Sequence, residues 1–295
     1  MTISRQNLSI VVVSFMSEKV IYDCINSISN DIEIIIVDNS NNPTFKEKIQ
    51  EKYKNVRCIL SQENNGMGAG NNLGLKNVKT DYALILNPDV TLEINTIDEI
   101  IKASKTIESF GVIAPISNNL NYPNYKADKK LLNDDEFKPF KVKSVDGYAM
   151  LLNIKRLKKH KDFKNLIFFD ENFFLYLEND DICKRIIKNN ENIYIIPNAK
   201  VNHLGGSAVD SKYKFEIELS RNWHWIWSKF YFNKKHKGYL FAVINGFPTF
   251  TSGIFKLCFY SFFDKEKKKI YLQRIKGYIS ALTGKKAFYR PKIDF

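Results

Sequence analysis

Four short apolar runs alternate with helical spacing over the first ninety residues. They are residues 8–15 (LSIVVVSF), residues 32–37 (IEIIIV), Val56–Leu60 and Tyr82–Leu86. Continuous runs rich in β-branched residues mark strands buried on both faces. Between the first two, Val20, Ile21, Cys24, Ile25 and Ile28 give residues 19–29 the spacing of a helix. Residues 44–53 read as a second, polar helix before Val56–Leu60. A β-α-β-α-β order of this kind implies parallel strands joined by right-handed crossovers. Ser14 ends the first strand and Asp38 the second. The fourth stops at Asn87-Pro88-Asp89, because Pro88 cannot donate to a sheet ladder. Ser14, Asp38 and Asp89 then share the C-terminal edge of one sheet, where open α/β sheets bind ligands. A lone acid there points to a metal ion or a polyphosphate.

Residues 64–74 (NNGMGAGNNLG) hold four glycines in eleven positions. Glycine permits positive φ and close approach of backbone to a ligand. The segment leads into a helix expected over residues 71–78, whose N-terminus can receive negative charge. A tight loop without a ligand is the plainer account of the glycines. They do not form GxGxxG at the first strand-to-helix turn, and no GxxxxGK[ST] is present. Nicotinamide-dependent and P-loop enzymes are therefore disfavoured.

Strands ending in VVVSF and IIIVDNS, then NNGMGAGNNLGLK, then ALILNPDV, resemble the nucleotide-sugar half of family 2 glycosyltransferases of the GT-A fold. Three later motifs agree in kind and order: VDGYAMLLN at 145–153, FFDENFFLYLENDDICKRI at 168–186, and VNHLGG at 201–206. The resemblance covers about residues 8–210 and is nearest to bacterial rhamnosyltransferase-like enzymes of surface polysaccharide synthesis. It implies an α/β fold, a Rossmann-like, mostly parallel sheet flanked by helices. It also implies a catalytic domain over 1–210, divided into a nucleotide-sugar half (about 1–115) and an acceptor half (116–210). Residues 211–295 would be a helical, basic and aromatic extension.

By the same resemblance, Asp38 contacts the base or ribose of a UDP- or dTDP-sugar, and Ser14 lies beside the base and diphosphate. Asn65 and Asn71 flank the glycines as further donor contacts. Asn87 and Asp89 stand where the family has a DxD-like motif, Asn87 replacing the first acid. Asp89 would hold a divalent cation, Mg²⁺ or Mn²⁺, on the diphosphate, and His203 would supply a second metal ligand. Gly147 and its neighbours would border donor sugar and acceptor. The catalytic base belongs in Glu178-Asn179-Asp180-Asp181, at the start of a helix. The family's usual Asp is here Asn179, which cannot accept a proton. Glu178 is then preferred, with Asp181 and Asp180 as the other candidates. Asn87 and Asn179 leave one alternative open, a catalytically inactive nucleotide-sugar- or glycan-binding protein at a membrane surface.

Of the 45 Lys and Arg, 18 lie in residues 205–295, beside 6 of the 32 Asp and Glu. The extension thus carries nearly the whole net charge of +13. Trp223, Trp225 and Trp227, the aromatic stretch 239–263 and the basic run 265–269 lie together there. Aromatic and basic residues side by side suit an anionic membrane interface. No nucleic-acid motif accompanies the charge. A scaffold in which only this extension matters is a further alternative. Cys24, Cys58, Cys183 and Cys258 form no CxxC and read as buried free thiols of a reducing compartment. No basic stretch and apolar core of a signal peptide is read at the start of the sequence, and no uninterrupted apolar run is expected to reach spanning length. The expected setting is cytoplasmic, peripheral at the inner face of the membrane, with a saccharide acceptor that is lipid-linked.

Overall fold

The elements run β1 (Leu8–Ser14), α1 (Glu18–Asn26), β2 (Glu33–Asp38), α2 (Pro43–Lys52), β3 (Val56–Leu60), α3 (Gly66–Lys76), β4 (Tyr82–Leu86) and β5 (Val90–Leu92). They continue with α4 (Thr96–Ser104), β6 (Val112–Ser117), β7 (Phe140–Lys141), β8 (Ala149–Asn153), α5 (Ile154–Leu157), α6 (Glu178–Lys188) and β9 (Ile193–His203). Three helices close the chain: α7 (Lys214–Lys237), α8 (Tyr239–Phe263) and α9 (Lys265–Leu282). The structure, a computed structural model, describes residues 2–119, 121–126, 138–205, 209 and 211–293. Gly206 of the VNHLGG motif and residues 127–137 of the charged segment 121–143 lie outside the described residues. Two units separate: Met1–Asp170 with Glu178–Val209, and Glu171–Leu177 with Asp210–Phe295.

In the first unit, every residue of β1 is buried, as a strand covered on both faces requires. The sheet order among the described residues is β3-β2-β1-β4-β8-β6-β9-β5, with β7 on β9. β1 to β4 are mutually parallel, and β8 joins β4 antiparallel. Alternate residues feed two cores. Ile10, Val12, Ile34 and Leu84 face one, and Val11, Ile35, Ala83 and Ile85 the other. The register sets Ser14 beside Asp38 and Val12 beside Leu86, so all three strands end at the same edge.

The glycine segment departs from expectation. It is not a loop but helix α3, which begins at Gly66 rather than at residue 71. A Cβ on Gly70 would lie 2.8 Å from Val13 Cγ1, and one on Gly74 would lie 2.4 Å from Val11 Cγ1. These two glycines let the helix press onto β1. The usual cost of glycine in a helix, about 1 kcal/mol against Ala, is accepted here for close packing.

The second unit is built from α7, α8 and α9. Trp223, Ile226, Trp227, Phe230, Ala242 and Tyr278 form its core. Two of the three tryptophans expected at an interface are thus buried, and only Trp225 is exposed. Trp227 Nε1 donates to the Lys285 carbonyl at 2.9 Å. His224 is fully buried. Its Nε2 donates to the Tyr289 carbonyl at 2.8 Å, and burial depresses its pKa to about 4. α8 is one helix of 25 residues despite Gly246, Pro248 and Gly253. A Cβ on Gly246 would lie 2.4 Å from Tyr278 Cε2, so this glycine is a packing contact. By length and composition α8 is able to cross a membrane, contrary to the expectation that no apolar stretch would be long enough. Cys258, on α8, is exposed, while Cys24, Cys58 and Cys183 are buried.

Candidate active site

The strand-end edge of β1 and β2 is polar and buried. Asp38 accepts the backbone N–H of Ser40 at 3.2 Å on Oδ1 and that of Asn42 at 2.9 Å on Oδ2. Burial raises its pKa, and those two backbone bonds oppose the rise. The carboxylate therefore shapes its own turn. Ser14 is buried beside it, and the Ser14 carbonyl accepts Asn39 N–H at 2.8 Å. Asn39 carried no weight in the sequence reading. Its Nδ2 donates to the Gly66 carbonyl at 3.2 Å, and its buried Oδ1 has no partner. Asn71 Oδ1, on α3, is likewise buried and unpartnered. Buried polar atoms are normally satisfied, so two orphaned amide oxygens fit a site that is completed by ligand or water. Asn65 is exposed, and its side chain does not cap α3.

Asp89 and His203 meet because β5 and β9 pair antiparallel with Val90 opposite His203. Asp89 Oδ1 lies 3.4 Å from His203 Nε2, and Leu204 N–H donates to the Asp89 carbonyl at 3.1 Å. Tyr148 stacks on the imidazole with ring centroids 4.2 Å apart, and its hydroxyl donates to the Tyr122 carbonyl at 3.1 Å. Tyr148 thus fixes the plane of His203, although no spacing in the sequence connects the two. Its carbonyl also accepts Asn87 N–H at 2.9 Å. Asn87 Oδ1 is buried without a partner. Among the described residues no group of three or more His, Cys, Asp or Glu is placed to hold a metal ion. A carboxylate and an imidazole at this separation, with an amide oxygen unsatisfied at the same strand end, still fit a hard cation whose other ligands are phosphate oxygens and water. Mg²⁺ in particular takes few protein ligands.

The acids at the start of α6 separate by environment. Asp181 is fully buried, and its Oδ2 lies 2.8 Å from Arg185 Nε, one turn along the helix. Arg185 also donates to the carbonyls of Phe168 and Asp162. Asp180 is held by Lys126 Nζ, at 2.6 Å from Oδ2, and by Ser144 Oγ, at 2.6 Å from Oδ1. Glu178 differs from both. Its Oε2 is buried with no partner among the described residues, and burial raises the pKa to about 7, with the nearby Asp180 charge adding to the rise. Asn179 Nδ2 donates to the Val145 carbonyl at 2.8 Å. A Cβ on Gly147 would lie 3.2 Å from Asn179 Cβ, so this glycine admits the helix start. Asp146, beside it, has its pKa raised by burial and by Asp180, against the pull of Lys126 and His203. It is the carboxylate that connects the α6 acids electrostatically to the Asp89–His203 pair. The sequence offered only its place before Gly147 as a signal.

Removing one partner of a buried ion pair typically costs about 3–5 kcal/mol. Asp181→Asn is therefore expected to lose stability on that scale in denaturant unfolding, leaving the pH dependence of turnover by the folded fraction unchanged. A shifted pH profile at full stability would make Asp181 the base instead.

Residues 9–183 match the family described as Glycosyl transferase family 2. The chain belongs to this family. Two characterised relatives of this glycosyltransferase are similar to it over part of their length. The low-salt glycan biosynthesis hexosyltransferase Agl10 of Haloferax volcanii is 26% identical over 204 residues, covering 63% of this chain and 64% of Agl10. The teichoic acid poly(glycerol phosphate) polymerase of Staphylococcus epidermidis is 31% identical over 117 residues, covering 37% of this chain and 16% of the polymerase. The chain spans less than two thirds of either relative. Among solved structures, residues 1–349 of S. aureus TarS superpose with a TM-score of 0.52 at 16% identity, covering 96% of this chain and 93% of that one. GalNAc-T7, solved with UDP, GalNAc and Mn²⁺, gives a TM-score of 0.54 at 15% identity, covering 66% of this chain and 43% of that one. These likenesses agree with the α/β GT-A architecture. They reach the family and not the rhamnosyltransferase-like subgroup.

Proposed function

We propose that this family 2 glycosyltransferase moves a sugar, with inversion, from a UDP- or dTDP-sugar to a saccharide hydroxyl in surface glycan synthesis. dTDP-rhamnose is one such donor, and the acceptor is lipid-linked. The observation that carries the reading is the Asp89–His203 pair at the end of β4, on the sheet edge shared by Ser14 and Asp38. TarS has been solved with UDP-GlcNAc and with UDP, which supports a nucleotide-sugar donor. On this reading Asp38 and Ser14 receive the nucleoside, and Asn39, Asn71 and Asn87 offer their unsatisfied oxygens to donor or water. Asp89 and His203 would hold a divalent cation, whose chemistry is to neutralise charge on the departing diphosphate. Glu178 takes the proton from the acceptor hydroxyl, which attacks the anomeric carbon opposite the diphosphate. Residues 1–210 do the catalysis, and residues 211–295 hold the protein at the inner face of the membrane.

Within that last part, α8 is read as lying in the membrane interface. One face packs on α7 and α9, where Ala242 and Gly253 are buried. Because α9 packs along α8, spanning would carry the Arg274 and Lys276 charges of α9 toward hydrocarbon, at about 2.5–3.5 kcal/mol for each at the centre. An in-plane helix keeps its apolar face in lipid and those charges at the headgroups.

The test is a thermal-shift series with UDP-, dTDP- and GDP-sugars, with and without Mn²⁺. One uridine or thymidine donor should stabilise the fold by roughly 2.7 kcal/mol at a hundredfold excess over its dissociation constant, and more weakly without the ion. Indifference to every nucleotide sugar would overturn the reading. Asn179, whose amide is committed to Val145, favours a second possibility, an inactive binder. Stabilisation by donor with no turnover on any acceptor would select it.

A further inference from the structure

The α8–α9 hairpin holds a cleft of about 320 Å³ to which the proposed catalytic site gives no role. Thr249, Ser252 and Lys256 line it from α8, and Tyr271 and Arg274 from α9. Lys256 Nζ lies 5.4 Å from the Tyr271 ring centroid, and Arg274 Cζ lies 5.7 Å from the same centroid. Two cations therefore share one ring. Neither is paired with a carboxylate among the described residues, and the Arg274 Nη1 contact to Asn222 Oδ1 is long, at 3.4 Å. Both line one cleft without a carboxylate counter-charge among the described residues, so an anion seated there is attracted by both. A guanidinium fork, an ammonium and two hydroxyls are the donors that a phosphate takes.

The neighbouring face of α8 narrows the choice of phosphate. Leu240, Ile244, Phe255 and Phe262 are 73–84% exposed, and Phe247 and Phe259 continue the same stripe at helical spacing. The cleft positions 249, 252 and 256 run alongside it, also at helical spacing. A soluble phosphate compound has no use for such a stripe. A lipid with an anionic phosphate headgroup and apolar chains matches cleft and stripe together.

We propose that the α8–α9 cleft binds the phosphate headgroup of an anionic membrane lipid, with Lys256 and Arg274 on its oxygens and the acyl chains along α8. This rests on the membrane part of the proposed function and is independent of glycosyl transfer. The headgroup site sets depth and orientation of the hairpin, which diffuse charge attraction does not.

The experiment is co-sedimentation of the full chain with vesicles of phosphatidylglycerol in phosphatidylcholine, and with phosphatidylcholine alone. Lys256→Gln with Arg274→Gln is compared with Lys265→Gln with Lys268→Gln, an equal loss of charge outside the cleft. Both pairs lose the same general attraction of two cations to an anionic surface. The cleft pair is expected to weaken binding about tenfold further, as befits hydrogen bonds to a charged group. Arg274→Lys keeps the charge but loses the fork, and should weaken binding severalfold. Inorganic phosphate at constant ionic strength should displace the wild type and not the cleft pair. Circular dichroism checks each fold, and Lys256→Gln alone, which has only a ring contact to lose, covers any failure of the pair. Equal losses in the two pairs would overturn the site in favour of diffuse attraction. A wild type that ignores all vesicles yet is stabilised by inorganic phosphate would assign the cleft to a soluble phosphate. No response to either would remove the site together with the membrane reading, leaving donor binding and transfer to be judged on their own assays.

Discussion

Glu178→Gln is expected to lower kcat by about 10²–10⁴-fold, the usual worth of general-base catalysis, with donor affinity nearly unchanged. The base must be ionised to work. With its pKa raised to about 7, turnover should rise with pH through that value and level off above it. Stability should run the other way. The folded state holds the Glu178 proton to a higher pH than the unfolded chain does, so folding loses stability as pH rises from about 4.5 to 7. Glu178→Gln removes that loss, and its Tm should exceed that of the wild type above pH 7 while activity is gone. Steady-state kinetics and a pH series of melts check both signs. Full kcat in Glu178→Gln would dismiss it as the base, and loss in Asp180→Asn instead would move the role within the cluster.

Asp89→Ala is the second large effect. It would remove a ligand of the cation that neutralises the departing diphosphate, and losing one electrostatic stabiliser of a transition state commonly costs about 10²–10³ in kcat. Loss on this scale is expected with the melting transition little changed, and chelator should reduce the wild type to the same level. His203→Ala should fall in the same direction, since its Nε2 sits 3.4 Å from the Asp89 carboxylate. Unaltered turnover in chelator and in Asp89→Ala would refute the cation site while leaving the nucleotide edge untouched.

The first strands were legible because burial on both faces leaves the sequence no polar positions to confuse the period. Val56–Leu60 and Tyr82–Leu86 coincide with β3 and β4. α3 was misread because glycine disfavours helix, and the compensating contacts with Val11 and Val13 are made across the fold. The tryptophans were misread for a different reason. Trp223 and Trp227 are four apart and share the core face of α7, while Trp225 points elsewhere, so helical spacing already separated them. In α8, Gly246 and Pro248 looked like breaks, whereas the Tyr278 ring occupies the space that Gly246 leaves. At the site, sequence preferred Glu178 among the acids of 178–181 without sight of the partners each acid holds. Partners do the ranking: Arg185 takes Asp181, Lys126 and Ser144 take Asp180, and Glu178 Oε2 is left without one. Asn39, Asp146 and Tyr148 depend on neighbours far along the chain, which no local pattern displays.

The pairing of Val90 with His203 joins residues 113 positions apart. Long loops close late, because their entropy is lost before their contacts form. The edge made by Ser14 and Asp38 belongs to strands that can assemble once the first hundred residues exist. The Asp89–His203 pair cannot exist until β9 has been synthesised and has found β5. A nascent or truncated chain is therefore expected to show a nucleoside-sized edge before it has any means of gripping a diphosphate, so competence in this protein is timed by its last strand.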